Sequence, residues 1–314
     1  MKQHLIPNCY LKAWCDPRTP DDQTPYIWRI AKDGSSKKNK APAKSFTATD
    51  RYTITLPNGE KDLIVENTLA GLENAFVSVR DRVEQREELT PEDRATLCLF
   101  TAAMHSRTKR AGDHWKRTAQ QIHDMVSSLE QQYGAKPTTS HETGRMVEVA
   151  PQYLVMTMLE IQTPMYFAME MSVFVSQDEI GFITSDSPCV WFNPNAYRWP
   201  PFYRHAGLGQ RDVEVTLPLT PRHLLLISHE NLPFYVGVEQ KTVDEANRLW
   251  HAACAAEFVS WKGETRPCWF EPGEKPPADA WDNTDAGKRA MQRSAEWEQE
   301  LKAFNEKSGR GDND

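Results

Sequence analysis

Two pairs of short apolar runs, each broken by a proline-bearing turn, set the strongest limit on what this chain can build. Phe182-Ile183 and Cys189 to Phe192 flank the polar turn Thr184-Ser185-Asp186-Ser187-Pro188. Val213 to Leu219 and His223 to Ile227 form the second pair, broken by Pro218-Leu219-Thr220-Pro221. Joining two parallel strands takes a crossover of about a dozen residues or more, usually a helix. Apart from an aromatic insertion between the pairs, no such connection is available. The strands of 173–192 and 213–227 are therefore expected to form an antiparallel or mixed sheet. Asp and Ser side chains accept hydrogen bonds from nearby backbone N–H groups, and Pro188 pushes Ser187 into an extended conformation. Asp186 is thus expected to be held rigidly between core strands, either in a site or in an ordinary tight turn.

Around this sheet the periodicity is helical. From Glu66 to about Arg86, positions 66, 69, 70, 73, 77 and 80 share a face. That face carries Leu69, Ala70 and Val77, but also Glu66 and Glu73. Carboxylates beside an apolar stripe must be paired, hydrogen-bonded or metal-bound; pairing with arginines of the next helix is the structural alternative to a functional role. The next helix is announced by Thr90 as N-cap, Pro91 in the first turn and Glu92-Asp93 at the positive end of the dipole. It is expected to run to Tyr133, to end at Gly134, and to bend or break near Gly112. Its apolar half gives way to a basic run that includes His105, Arg107, Lys109, Arg110, His114, Lys116 and Arg117. Such a run is either a solvated face or a strip for phosphate or carboxylate, with Arg107 as its fork-shaped donor. Residues 148–171 read as another helix, interrupted at Pro164. Thr242 and Glu245 pattern as the capping box of a helix reaching Trp261. Asn247 and His251 are polar insertions on its apolar face.

The chain opens apolar. Pro7 suits a first helical turn, and Leu5, Tyr10, Leu11 and Trp14 make one patch. Termini normally fray, so an ordered start implies that His4 is delivered into the body of the protein, unless it is a surface histidine ahead of a docking helix. Tyr26 to Ile30 reads as a strand, the basic stretch Lys32 to Lys44 as a mobile loop, and Pro137 to Thr143 as a loop. Arg51 to Leu56 and Lys61 to Val65, around Pro57-Asn58-Gly59-Glu60, predict a hairpin. Tyr197 to Tyr203 reads as an aromatic flap. The expected fold is α+β, a central antiparallel or mixed sheet packed against several long helices, with a small N-terminal hairpin. Residues 1–262 are expected to be a single domain. Residues 263–314 are expected to be a C-terminal extension, partly helical, with a disordered end from Glu306.

A net charge of −7 argues against a surface coated for non-specific nucleic-acid binding, although a local basic groove remains compatible with it. No apolar run approaches the roughly 18–20 residues that span a bilayer, and Met1 is not followed by a signal-type apolar stretch; no membrane association is expected. The six cysteines contain no C-x-x-C pair, which argues for free thiols and a cytoplasmic location. The glycine-rich nucleotide loops and the G-x-S-x-G elbow are absent from the sequence.

One set of residues follows a familiar order and spacing. It comprises Gln3-His4 with Pro7 and Tyr10-Leu11-Lys12, Glu66 and Glu73 in a long helix, and Arg107-Thr108 after an apolar helix. Ile183-Thr184-Ser185-Asp186 with Pro188 follows, then Pro218-Leu219-Thr220-Pro221 before an apolar strand, and Asn247 in the next helix. In these features the chain resembles the bacterial family of unknown function DUF4238, over roughly residues 3–262; His105 departs from the pattern, where a glutamine is expected. The resemblance implies no reaction or cofactor, but it groups His4, Glu66, Glu73, Arg107, Asp186 and Asn247. These residue types suit a metal-dependent hydrolase of phosphodiesters, nuclease-like. His4, Glu66, Glu73 and Asp186 would be its catalytic residues around a divalent ion such as Mg²⁺, and His105, Arg107 and Asn247 would hold the nucleic acid. The alternative is a non-enzymatic ligand-binding or regulatory protein whose same residues hold a small anionic ligand or a partner. A third reading is a buried network that fixes the N-terminus. The enzyme reading requires at least three of the four catalytic side chains around one solvent-reachable cleft.

Overall fold

The computed structural model describes residues 2–56, 58–273 and 277–307. The chain divides into two compact units, residues 1–190 with 215–271, and residues 191–214 with 272–314. The first unit begins with β1 (Lys2–His4), α1 (Asn8–Leu11), β2 (Ile27–Ala31), β3 (Lys37–Lys40), β4 (Thr47–Thr49), β5 (Ile54–Thr55) and β6 (Lys61–Asp62). Five helices follow: α2 (Ile64–Glu84), α3 (Pro91–Ser106), α4 (Lys109–Tyr133), α5 (Thr138–Glu148) and α6 (Ala150–Phe167). Next come β7 (Glu170–Ser176), β8 (Thr184–Ser185) and β9 (Val190–Phe192), then β10 (Glu214–Thr220), β11 (His223–Ser228), β12 (Tyr235–Val238), α7 (Gln240–Ala253) and β13 (Glu257–Ser260). The second unit contains α8 (Asp285–Lys307). Among the described residues no helix is long and apolar enough to cross a membrane.

The sheet is mixed. Its order is β12-β7-β11-β10, with β12 parallel to β7 and the other pairs antiparallel. The hydroxyl of Thr216 on β10 donates to the Val190 carbonyl at 3.0 Å. A second, wholly antiparallel sheet runs β3-β2-β13-β8. Helix α7 closes over a core of Ile30, Phe182, Ile183, Leu224, Val243, Trp250, Phe258 and Trp269. On the helical side α3 packs against both α2 and α6, and Phe76 stacks on Phe100 with ring centroids 3.6 Å apart. The Asn58-Gly59 hairpin forms between β5 and β6, with Gly59 at φ 83; Pro57 of its turn lies outside the described residues.

Several local expectations are corrected. The helix announced by Thr90 has a capping box, completed by Asp93, and it breaks after Ser106, ahead of the bend or break expected near Gly112. Thr108 caps a new helix, accepting from the Ala111 N–H at 3.2 Å. Gly112 instead admits Arg51: a Cβ there would lie 2.0 Å from Arg51 Nη2. Helix α7 begins at Gln240 with Glu239 as N-cap and no side-chain cap bond, so Thr242 and Glu245 form no capping box. It ends at Ala253, and Glu257–Ser260 is an inner strand rather than more helix. Lys37–Lys40 is the strand that pairs with β2 rather than a loop, and Thr138 to Thr143 opens α5.

Within the second unit, Arg204 pairs with Asp282 at 2.8 Å and Asn193 donates to Gln210 at 2.8 Å. The aromatic insertion forms two 3₁₀ turns, Ala196–Arg198 and Pro201–Tyr203, and leaves Trp199, Phe202 and Tyr203 exposed. Of the expected disordered end, residues 308–314 lie outside the described residues.

Candidate functional site

Arg107 is the hub of the larger polar cluster. It follows the last turn of α3, and Thr108 starts the next helix, so its side chain leaves the α3 axis and turns toward α2 and the N-terminus. One guanidinium nitrogen donates to Glu73 Oε1 at 2.8 Å, and the other donates to the His4 carbonyl at 2.5 Å. Tyr52 lies 5.6 Å from the guanidinium carbon and donates its hydroxyl to the Arg107 carbonyl at 2.9 Å. The Arg107 side chain is 2% exposed and that of Glu73 22%; Arg107 Nε has no hydrogen-bond partner among the described residues. Burial opposes the charge on Arg107, but Tyr52 and Glu73 outweigh it and its pKa is raised. An ion pair this deep is held by complementarity on every side, because each charge alone would be strongly destabilising there.

The N-terminal strand enters this cluster through its backbone. Gln3 is fully buried; it accepts from the Tyr52 N–H at 2.6 Å and donates to Thr53 Oγ1 at 3.0 Å. His4 contributes its carbonyl to Arg107, while its ring contacts the Ala43 carbonyl at 3.2 Å. Cys9, at the start of α1, points its thiol at the Glu73 carbonyl (3.8 Å) and Oε2 (4.0 Å). Burial, with Glu73 adding to it, pushes that thiol up to about 11, so it is a proton donor there and not a thiolate. Glu66, two turns before Glu73, is half-buried and makes no hydrogen bond or ion pair among the described residues. Burial raises its pKa, Arg107 opposes the rise and Glu73 adds to it.

The remaining sequence-predicted residues are used elsewhere. Asp186 accepts from the backbone N–H groups of Ala255 (2.8 Å), Ala256 (2.7 Å) and Glu257 (3.2 Å), lacing the turn between α7 and β13. Asn247, fully buried, accepts from the Ile183 N–H at 2.9 Å and donates to the Gly181 carbonyl at 2.9 Å. His105 faces Gln162 on α6 at 3.0 Å, and burial pushes its pKa down to about 4, so the ring is neutral. The structure therefore gathers Glu66, Glu73, Arg107 and the His4 carbonyl, and gives Asp186, Asn247 and His105 other partners. Among the described residues no group of three or more His, Cys, Asp or Glu side chains is disposed to hold a metal ion.

Sequence reasoning missed the groups that join these places. Tyr10 on α1 contacts Thr184 Oγ1 at 2.7 Å, and Trp14 donates to the Phe182 carbonyl at 3.2 Å. The periodicity had marked both only as an apolar patch; an amphipathic ring tip was the available signal. Beside this segment lies a cavity of about 400 Å³ lined by Asn8, Lys12, Cys15 and Thr24, with Pro25 and Ala41 to Ala43 as apolar walls. Lys12 is exposed and forms no ion pair among the described residues.

The wider comparison is brief. No curated protein and no solved structure matches the chain. The family model described as a protein of unknown function, DUF4238, matches residues 2–262. That span is most of the chain, which therefore belongs to the DUF4238 family.

Proposed function

We propose that this is a non-enzymatic binding protein that takes a small anionic ligand in the cavity beside its N-terminal segment. The observation that carries this reading is the commitment of Arg107. Its guanidinium is 2% exposed and engaged by Glu73 and the His4 carbonyl, so it fixes the segment and is closed to a ligand from solution. What stays open is the neighbouring cavity of about 400 Å³, within the range of small-molecule sites. Lys12 supplies a positive charge at its rim, Asn8 and Thr24 supply polar groups, and proline and alanine supply apolar wall. The reading takes the chain as a bacterial cytoplasmic protein, which its six free cysteines support.

A metal-dependent, nuclease-like hydrolase is the second reading, favoured by Glu66. A half-buried carboxyl with a raised pKa beside an arginine-paired carboxylate is a recognisable acid–base arrangement. One experiment separates the two. Thermal stability is measured against a panel of nucleotides, sugar phosphates and small carboxylic acids, for the native chain and Lys12→Ala, and cleavage of RNA and DNA is followed in Mg²⁺ or Mn²⁺. Stabilisation by an anion that disappears in Lys12→Ala supports the binding reading. Metal-dependent cleavage that is lost in both Glu66→Gln and Glu73→Gln refutes it in favour of the hydrolase.

A further inference from the structure

We propose that a second ligand site, separate from the cavity at Lys12, lies at the C-terminal end of α2, where Arg86 and Arg94 flank a cavity of about 420 Å³ walled by Glu88, Leu89, Phe234 and Tyr235. Its ligand class is a small anion with a flat apolar body, an aryl carboxylate or aryl phosphate monoester. The first sign is conformational. Helix α2 ends in a Schellman motif: the Arg86 N–H bonds to the Val83 carbonyl and the Glu87 N–H to the Arg82 carbonyl, both at 3.0 Å. The residue at the left-handed position is Arg86, with φ 57. Helix α4 closes with the same hydrogen-bond pattern and has Gly134 there, at φ 61. Glycine adopts this conformation without strain and an arginine does not. A strained residue kept where glycine would serve points to a use for its side chain.

The side chains agree with that use. Arg86 is exposed and its guanidinium makes no hydrogen bond or ion pair among the described residues. Arg94 places one nitrogen on the Met169 carbonyl at 2.5 Å and keeps its other N–H donors. The opposite wall is preset: Tyr235 donates to the Glu87 carbonyl at 2.8 Å, and the Val173 N–H donates to the Phe234 carbonyl at 2.5 Å. The Phe234 and Tyr235 rings meet at 90°, with centroids 4.8 Å apart, and form an aromatic corner beside the arginines. Among the residues that line the cavity two guanidiniums face one carboxylate, Glu88, and a planar guanidinium grips an anionic head bidentately. An aromatic ring attached to that head packs into the corner edge-to-face or offset.

The test is isothermal titration and thermal shift on the full chain with benzoate and phenyl phosphate, and with inorganic phosphate as the anion without a ring. The expected result is saturable binding of an aryl anion, at least tenfold tighter than inorganic phosphate. Arg86→Gly should raise the melting temperature of the ligand-free protein, by relieving the left-handed strain, and weaken aryl-anion binding at least tenfold. Lys12→Ala should leave that binding unchanged. Absence of saturable binding by both aryl anions, equal binding of inorganic phosphate, or unaltered affinity in Arg86→Gly would each overturn the proposal.

Discussion

Removing the Glu73 carboxylate tests the central packing argument most directly. The pair is formed at 2.8 Å, with 2% of the arginine side chain and 22% of the glutamate side chain exposed. With charge centres about 4 Å apart and an effective dielectric of about 20, the attraction is roughly 4 kcal/mol. Losing one partner of a buried pair costs about 3–5 kcal/mol, because the other charge stays desolvated. Water reaches the glutamate side and can replace part of the interaction, which puts Glu73→Ala near the lower end, about 3 kcal/mol. Glu73→Gln keeps an acceptor oxygen for the arginine and should lose about 2 kcal/mol. Urea unfolding gives both values, and a double-mutant cycle with Arg107→Met isolates the coupling, expected at about 1.5–3 kcal/mol. Hydrogen exchange at Gln3 and Leu5 should rise in the same variants, since the clamp on the His4 carbonyl goes with the arginine's position. A loss below about 1 kcal/mol in Glu73→Ala, or an additive cycle, would refute the view that this pair fixes the N-terminal segment.

Two further outcomes follow from the same geometry. Asp186→Asn puts an amide NH₂ where the carboxylate met three N–H groups, and stability measured by urea unfolding should fall by about 2–4 kcal/mol; a change under about 0.5 kcal/mol would refute the role. Burial holds His105 and His223 down at about 4, from an ordinary 6.5, so their neutral forms stabilise the fold fully above pH 6.5. That stability is lost as pH falls from about 6.5 toward about 4, because the unfolded chain takes up protons that the folded chain does not, at about 1.4 kcal/mol per pH unit for each histidine. In His105→Gln the slope in that window should drop by one histidine's share; an unchanged slope would show that His105 is not held neutral.

The sequence disclosed most where structure is decided locally. The Thr90 N-cap and the Asn58-Gly59 turn involve residues a few positions apart, and both appear where the pattern put them. It failed where a distant side chain decides. The run from Ala252 to Glu257 continues a helical pattern, yet Cys254 turns extended at ψ 144 and Asp186 captures the next three N–H groups. Nothing in the local composition reveals a carboxylate some seventy residues away. Strand β3 is four exposed residues, three of them lysines, with no alternation to read; it exists because β2 offers a ladder. The bonds that Arg107 makes were legible only as a basic residue, since its partners are Glu73 on another helix and a carbonyl at the N-terminus. Glu66 and Glu73 were correctly found on one face, because two turns of a helix are a local matter.

The six residues grouped by the family resemblance fall into two clusters, yet one structural logic covers three of them. Arg107 takes up a carbonyl at the end of β1, Asp186 takes up three N–H groups where α7 gives way to β13, and Asn247 takes up an N–H and a carbonyl just before β8. Each serves backbone groups at a place where a helix or ladder has run out, and buried backbone groups of that kind must find partners. The clusters are joined by α1, whose Tyr10 reaches Thr184 and whose neighbour Trp14 reaches Phe182. A polar side chain spent in this way is closed to substrate. A search for reactivity should therefore start from the groups this scheme leaves unspent: Glu66 with its raised pKa, Lys12 at the N-terminal cavity, and Arg86 in its strained position. The clamp residues decide whether those groups stand in place.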